Sequence, residues 1–163
     1  MLFRSGPTTE VTLTMRASPR AIWEACIDPT VPVVNSPELI AAEWDPDGPP
    51  PGLGARLLGR NRRGETEWST TSHVVEWESC RSWSYEVGVG QNAASRWWYT
   101  LDDHGDGTVT VSQKVRLGPG TSGLTEAIDR KPELEETIIE RRLEFMAAAM
   151  RGNLEEIEAR AAS

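Results

Sequence analysis

"PELEETIIERRLEFMAAAMRGNLEEIEARA" runs from Pro132 to Ala161. Within it Ile139, Leu143, Met146, Met150, Leu154, Ile157 and Ala161 recur at spacings of three and four. At 3.6 residues per turn those positions share one face, so the spacing predicts an amphipathic helix of about six turns. Glu133, Glu135 and Glu136 sit at its N-terminal end, where the helix dipole favours negative charge. Gly152 interrupts the stripe, at a cost of about 1 kcal/mol relative to alanine, which a helix of this length tolerates. A long apolar stripe must bury itself against something, and the rest of the chain supplies a sheet.

Before this helix the dominant period is two. "VTLTMRAS" alternates Val11, Leu13 and Met15 with Thr12, Thr14 and Arg16, the pattern of a half-buried strand. "SPRAIWEACID" then reads as a helix, with Ser18 as N-cap and Pro19 in the first turn, ending at Asp28-Pro29. "SPELIAAEW" repeats the Ser-Pro opening and predicts a short second helix from Ser36. "DPDGPPPGLG" is a stiff loop. Strands follow in "ARLLGRN", "TEWSTTSHVVEW", "SWSYEVGV", "RWWYTLD" and "TVTVSQKVRLG", separated by turn-rich segments that include "RRGE" and "DHGDG". A short helix is expected near Leu124 to Arg130. No repeat or linker divides the 163 residues, so they read as one domain. The expected fold is α+β, a curved antiparallel sheet wrapped around the long C-terminal helix.

Composition excludes several functions. The net charge is −8, which repels phosphate, so "GRNRRGE" (Gly59 to Glu65) reads as a hairpin turn with solvated arginines rather than a nucleic-acid site. Cys26 and Cys80 make no disulfide framework. "MLFRSGPTTE" has no apolar signal core, and no run approaches the ~18 apolar residues of a membrane span. These features predict a cytoplasmic protein with reduced thiols, monomeric or homodimeric. No metal-ligand spacing and no cofactor motif is legible. "DDHGDG" lacks the ligand pattern of a calcium loop. "GPGTSG" lacks the βαβ setting that a dinucleotide needs. His73 and His104 stand beside no evident nucleophile, so no catalytic residue is assigned.

Seven tryptophans are the unusual feature of the composition, and they fit either a heavily aromatic core or an aromatic-lined cavity. Period two places Trp68, Thr70, Ser72 and Val74 on one face of their strand, with His73 and Val75 on the other. It likewise groups Trp83, Tyr85 and Val87, and then Trp97, Tyr99 and Leu101. Trp98 faces the other way, where a partner surface and a covering loop explain it equally well.

The element order, with "ASPRAIWEACID" near its start, resembles the SRPBCC superfamily of START-like, helix-grip proteins. "GARLLGRNRRGETEWSTTSHVVE", "SRWWYTLDDHGDGTVTVSQ" and "GPGTSGLTEAIDRKPELEETIIERRLEFM" look like an actinobacterial polyketide cyclase-like group. The resemblance covers nearly the whole chain. It implies an apolar cavity between the concave sheet face and the C-terminal helix, holding a hydrophobic, polycyclic or polyketide-like molecule. Candidate ligand-binding residues are then Trp68, Thr70, Trp83, Tyr85, Trp97 and Tyr99 on the sheet, with Arg142, Met146 and Met150 on the helix. Met146 and Met150 suit a site for varied apolar ligands and would equally serve as core filler. Arg142 has no acid three or four residues away, so it is free to pair with a ligand carboxylate or phenolate, or to reach solvent over its apolar stem. Two functions fit: sequestration of such a molecule, as in antibiotic biosynthesis or enediyne self-resistance, and an aromatase/cyclase that folds a polyketone. A protein-interaction module is a third class, for which no residue argues.

Overall fold

A computed structural model describes residues 2–162. The first strand, β1 (Thr8–Met15), leads into α1 (Pro19–Cys26), where the Ser18 hydroxyl accepts the Ala21 amide hydrogen at 3.1 Å. A short α2 (Val31–Asn35) follows. Six more strands come in sequence: β2 (Leu39–Trp44), β3 (Arg56–Arg63), β4 (Thr66–Glu78), β5 (Ser82–Val87), β6 (Ser95–Asp103) and β7 (Val109–Leu117). The chain ends with α3 (Gly123–Arg130) and the long α4 (Glu135–Ala161).

All seven strands form one antiparallel sheet in the order β1-β7-β6-β5-β4-β3-β2. It curls into a half-barrel against α4, the helix-grip arrangement that the C-terminal stripe predicts. Ile139, Met146, Met150, Leu154 and Ile157 are buried along α4, and Leu143 and Ala161 pack at their margin. The opposing face of β7 buries Val109, Val111, Gln113, Val115 and Leu117, an unbroken period of two. One polar pair crosses this core. Asn153 Nδ2 of α4 donates to Gln113 Oε1 of β7 at 3.1 Å. This buried bond between the two amides fixes how far α4 can slide along the sheet.

The segment from Ser36 departs from the sequence reading. It forms no helix; Leu39–Trp44 is the edge strand β2, paired with β3. Its helix-favouring residues are overridden by the sheet edge. The Ser36 hydroxyl accepts the amide hydrogens of Glu38 and Leu39 at 3.2 and 2.9 Å, turning the chain into the strand instead of starting a helix. The arginine-rich turn also differs. β3 continues to Arg63 and the hairpin closes at Gly64, whose φ of 62° is the left-handed geometry glycine favours. Arg62 pairs with Glu67 at 2.8 Å and Arg63 pairs with Glu38, while Arg60 has no ion pair among the described residues.

A register shift between Val74 and Glu76 of β4 places Trp77 opposite Trp83. Strict alternation puts Trp77 on the outer face with His73. The extra residue reverses the parity and brings it inward.

Candidate functional site

The inward aromatic side chains form one connected ladder. It starts at α1, where Trp23 meets Trp77 edge-on at a centroid distance of 5.1 Å. Trp77 and Trp44 each contact Trp83, both at 5.8 Å. Trp83 in turn packs on Tyr85 at 5.2 Å and stacks on Tyr99 at 5.7 Å. Tyr85 and Trp97 then stack at 6.4 Å, with planes 9° apart. The strands produce this order, since Trp83 pairs with Tyr99 and Tyr85 with Trp97 across β5 and β6.

The ladder is closed at one end and partly open at the other. Trp83 and Tyr99 are each only 3% exposed. Trp83 is therefore core: four other rings surround it. Tyr85 and Trp97 are half-buried. Desolvation by the surrounding rings raises the Tyr85 phenol well above the ordinary tyrosine range. Burial raises the Tyr99 phenol as well, helped by nearby Tyr85 and Cys26. Both phenols stay protonated donors at neutral pH. Neither hydroxyl has a hydrogen-bond partner among the described residues, and the buried Trp83 Nε1 has none either. In contrast, Trp97 Nε1 donates to Ser95 Oγ at 3.0 Å and Trp44 Nε1 to the Ile27 carbonyl at 3.1 Å.

The remaining sheet candidates lie further out. Thr70 is half-buried on the inner face, with its hydroxyl close against Gly59 of β3. Trp68 stands on the same face nearer the hairpin tip and is 37% exposed. On α4, Met150 is fully buried and Met146 nearly so. Arg142 is not free. It lies 3.4 Å from Glu38 Oε1, and its guanidinium stacks over Phe145 at 5.0 Å. Glu38 is 104 residues away in sequence, so nothing along the helix signalled it.

Arg142, Glu38 and Arg63 meet at a cleft of about 480 Å³ lined by Pro37, Glu38, Ile40, Arg62, Arg63, Gly64 and Phe145. This mouth is bounded by the β3–β4 hairpin, the start of β2 and the N-terminal half of α4, and none of the predicted sheet candidates lines it. A second cleft of about 360 Å³, between the β1–α1 junction and the β6–β7 turn, likewise takes in none of the predicted wall.

Outside the half-barrel, Trp98 is half-buried under three cations. Lys114, Arg96 and Arg116 lie 4.4, 4.8 and 5.8 Å from its ring. His104 Nε2 is 2.7 Å from Thr110 Oγ1, but His104 Nδ1 is 4.0 Å from Asp102, too far for a hydrogen bond. Thr110 also shares its hydroxyl with Thr14, and the group is on the exposed strand end without an enclosing wall. Among the described residues no cluster of three or more His, Cys, Asp or Glu could hold a metal, and no helix is long and apolar enough to cross a membrane.

No family model and no curated protein matches the chain. Solved structures do. The Polyketide_cyc-like protein Cgl2372 from Corynebacterium glutamicum is 25% identical, with a TM-score of 0.64 over 94% of this chain and 88% of that one. The di-domain ARO/CYC BexL from the BE-7585A biosynthetic pathway is 14% identical, with a TM-score of 0.66; it is matched over 99% of this chain, which spans 53% of BexL. Ginseng major latex-like protein 151 from Panax ginseng is 9% identical, with a TM-score of 0.64 over 96% and 98% of the two chains. Together with the curled sheet and C-terminal helix, these likenesses give the chain the SRPBCC, helix-grip fold.

Proposed function

We propose that the protein binds a hydrophobic, polycyclic or polyketide-like small molecule between the concave sheet face and α4, and acts by sequestering it, in natural-product biosynthesis or in self-resistance to such a product. One observation carries this reading. The aromatic ladder ends at half-open Tyr85 and Trp97, near two phenols and a buried indole N–H, Trp83 Nε1, that has no hydrogen-bond partner among the described residues. A planar ligand extends the stack. Its carbonyl or ether oxygens accept from the phenols or from the indole, whose buried N–H otherwise costs about 1–3 kcal/mol unpaired. The fold shared with an ARO/CYC protein of a biosynthetic pathway supports the reading at the level of architecture.

A second reading, aromatase/cyclase, draws on the same phenols. Held protonated, Tyr85 and Tyr99 can donate to a carbonyl oxygen and polarise it for aldol closure, while the enclosing wall pre-folds the chain. The test is a titration with aromatic polyketides, enediynes, flavonoids and fatty acids. Binding should quench or shift tryptophan fluorescence and raise Tm. Failure of every compound refutes the cavity reading, and conversion of a bound polyketone into a cyclised product moves the assignment to the enzyme.

A further inference from the structure

The mouth of the half-barrel holds a carboxylate between two guanidiniums, and the carboxylate belongs to the chain itself. Glu38 Oε1 contacts both Arg63 of β3 and Arg142 of α4. Two cations and one anion leave a surplus positive charge at this point, on a chain whose net charge is −8. Neighbouring Arg62 is already neutralised by Glu67. The backbone of Glu38 is fixed from both sides. Its amide hydrogen goes to Ser36 Oγ at 3.2 Å, and its carbonyl accepts the Arg62 amide at 2.8 Å. Only its side chain can leave, and the cleft it borders gives that side chain room to turn aside. Apolar surface stands next to the charge: Phe145, beneath the Arg142 guanidinium, is 38% exposed, and Trp68 on the hairpin is 37% exposed.

Building on the cavity reading, we propose that Arg63 and Arg142 form the anion-recognising end of that cavity, and that its ligand is an apolar ring system bearing a carboxylate, which displaces Glu38 from the two arginines. Glu38 is then a resident stand-in that keeps both guanidiniums paired when no ligand is bound. The net charge of the chain disfavours anions on average, so the local surplus both attracts the ligand and sets its orientation. The ring system enters towards Trp97 and Tyr85, and the carboxylate stays at the mouth.

The experiment compares 1-pyrenebutyrate with its uncharged methyl ester, using the full chain and pyrene fluorescence. The acid can replace Glu38 on both guanidiniums and the ester cannot, so the acid should bind wild type several-fold tighter than the ester. The margin should shrink as salt is raised. Glu38→Gln removes the competing carboxylate, so it should tighten the acid several-fold while leaving the ester unchanged. The double variant Arg63→Gln, Arg142→Gln should bring acid and ester to equal affinity. Equal affinity of acid and ester for wild type overturns this inference and leaves the cavity reading standing. Binding of neither overturns both. An acid affinity that Glu38→Gln leaves unchanged or weakens shows that Glu38 is not displaced. The wild-type comparison needs no variant, so the outcome does not depend on whether the double variant folds.

Discussion

The rings of Tyr85 and Trp97 lie 6.4 Å apart and within 9° of parallel, on adjacent strands at the point where the aromatic ladder stops being fully buried. A planar ligand added at this point gains about 0.5–1.5 kcal/mol per aromatic pair beyond area burial. Trp97→Ala should therefore weaken a polycyclic ligand by a few-fold or more. Trp98→Ala should leave its affinity unchanged, because Trp98 lies on the outer face beneath Lys114, Arg96 and Arg116. Fluorescence titration of both variants checks this; a larger loss in Trp98→Ala would place the ligand on the wrong side of the sheet.

Trp83 and Trp68 should separate as core and rim. Trp83 touches four other rings and is 3% exposed, so Trp83→Ala should destabilise by about 3–5 kcal/mol in urea unfolding. Trp68 is 37% exposed, and Trp68→Ala should cost clearly less than Trp83→Ala.

The C-terminal helix was legible because its burial follows a pure 3.6 period, and β7 because its burial follows a pure period of two. Where the period breaks, legibility ends. β2 carries helix-favouring Leu39, Ala41, Ala42 and Glu43, and its pairing with β3 has a shift between Leu39 and Ala41 that hides any alternation. Trp77 reaches the core only through the β4 register shift, which no residue type announces. The mouth was hidden for a different reason. Glu38 meets Arg63 and Arg142 across 25 and 104 residues of sequence, so spacing carries no trace of their contact. The wall candidates Trp83, Tyr85, Trp97 and Tyr99 were brought together because adjacent antiparallel strands keep their parity. Which of them are core and which face open space depends on how α1 closes one end.

Gly152 sits in the middle of α4, where alanine normally gains about 1 kcal/mol in helix propensity. Here an added Cβ would lie 3.0 Å from Asn35 Cβ, and Asn35 Nδ2 donates to the Gly152 carbonyl at 3.2 Å. Gly152→Ala should push α2 away and strain that bond. The expected result is no rise in Tm, or a fall, together with faster hydrogen exchange in residues 31–35. A rise would show that α2 yields without cost.

Asn153 and Gln113 are 4% and 1% exposed and are joined by one hydrogen bond. Asn153→Leu strands the Gln113 carbonyl oxygen in the core, which should cost about 1–3 kcal/mol. Adding Gln113→Leu removes the stranded group, so the double variant should recover part of that loss. Chemical denaturation of the two single variants and the double measures the coupling. Strict additivity would show that the pair contributes no register energy.

Acid should unlatch the mouth before it unfolds the rest. Desolvation pushes the Glu38 carboxyl up, but the hydrogen bond from Arg63 and the charge and hydrogen bond of Arg142 outweigh it and hold the group below the ordinary value of 4.5. Asp28 behaves alike: desolvation raises it, while its bonds with Thr30 and the charge of Arg160 bring it below 3.8. Both carboxyls therefore stay ionised to lower pH in the folded chain than in the unfolded one. Between the two values the unfolded chain binds more protons, so stability falls as pH falls. The contribution is complete above the unfolded values and lost as pH drops through the depressed folded ones. Tm should thus be nearly flat from neutral pH down to about pH 5 and then decline. Glu38→Gln lacks one of the titrating groups. It should melt below wild type at neutral pH, show a shallower acid limb, and converge on wild type once Glu38 is protonated. Thermal scans across this range decide the matter. Parallel curves for the two proteins would mean that Glu38 gains nothing from its arginines in the folded state, and that the pairing at the mouth contributes no stability.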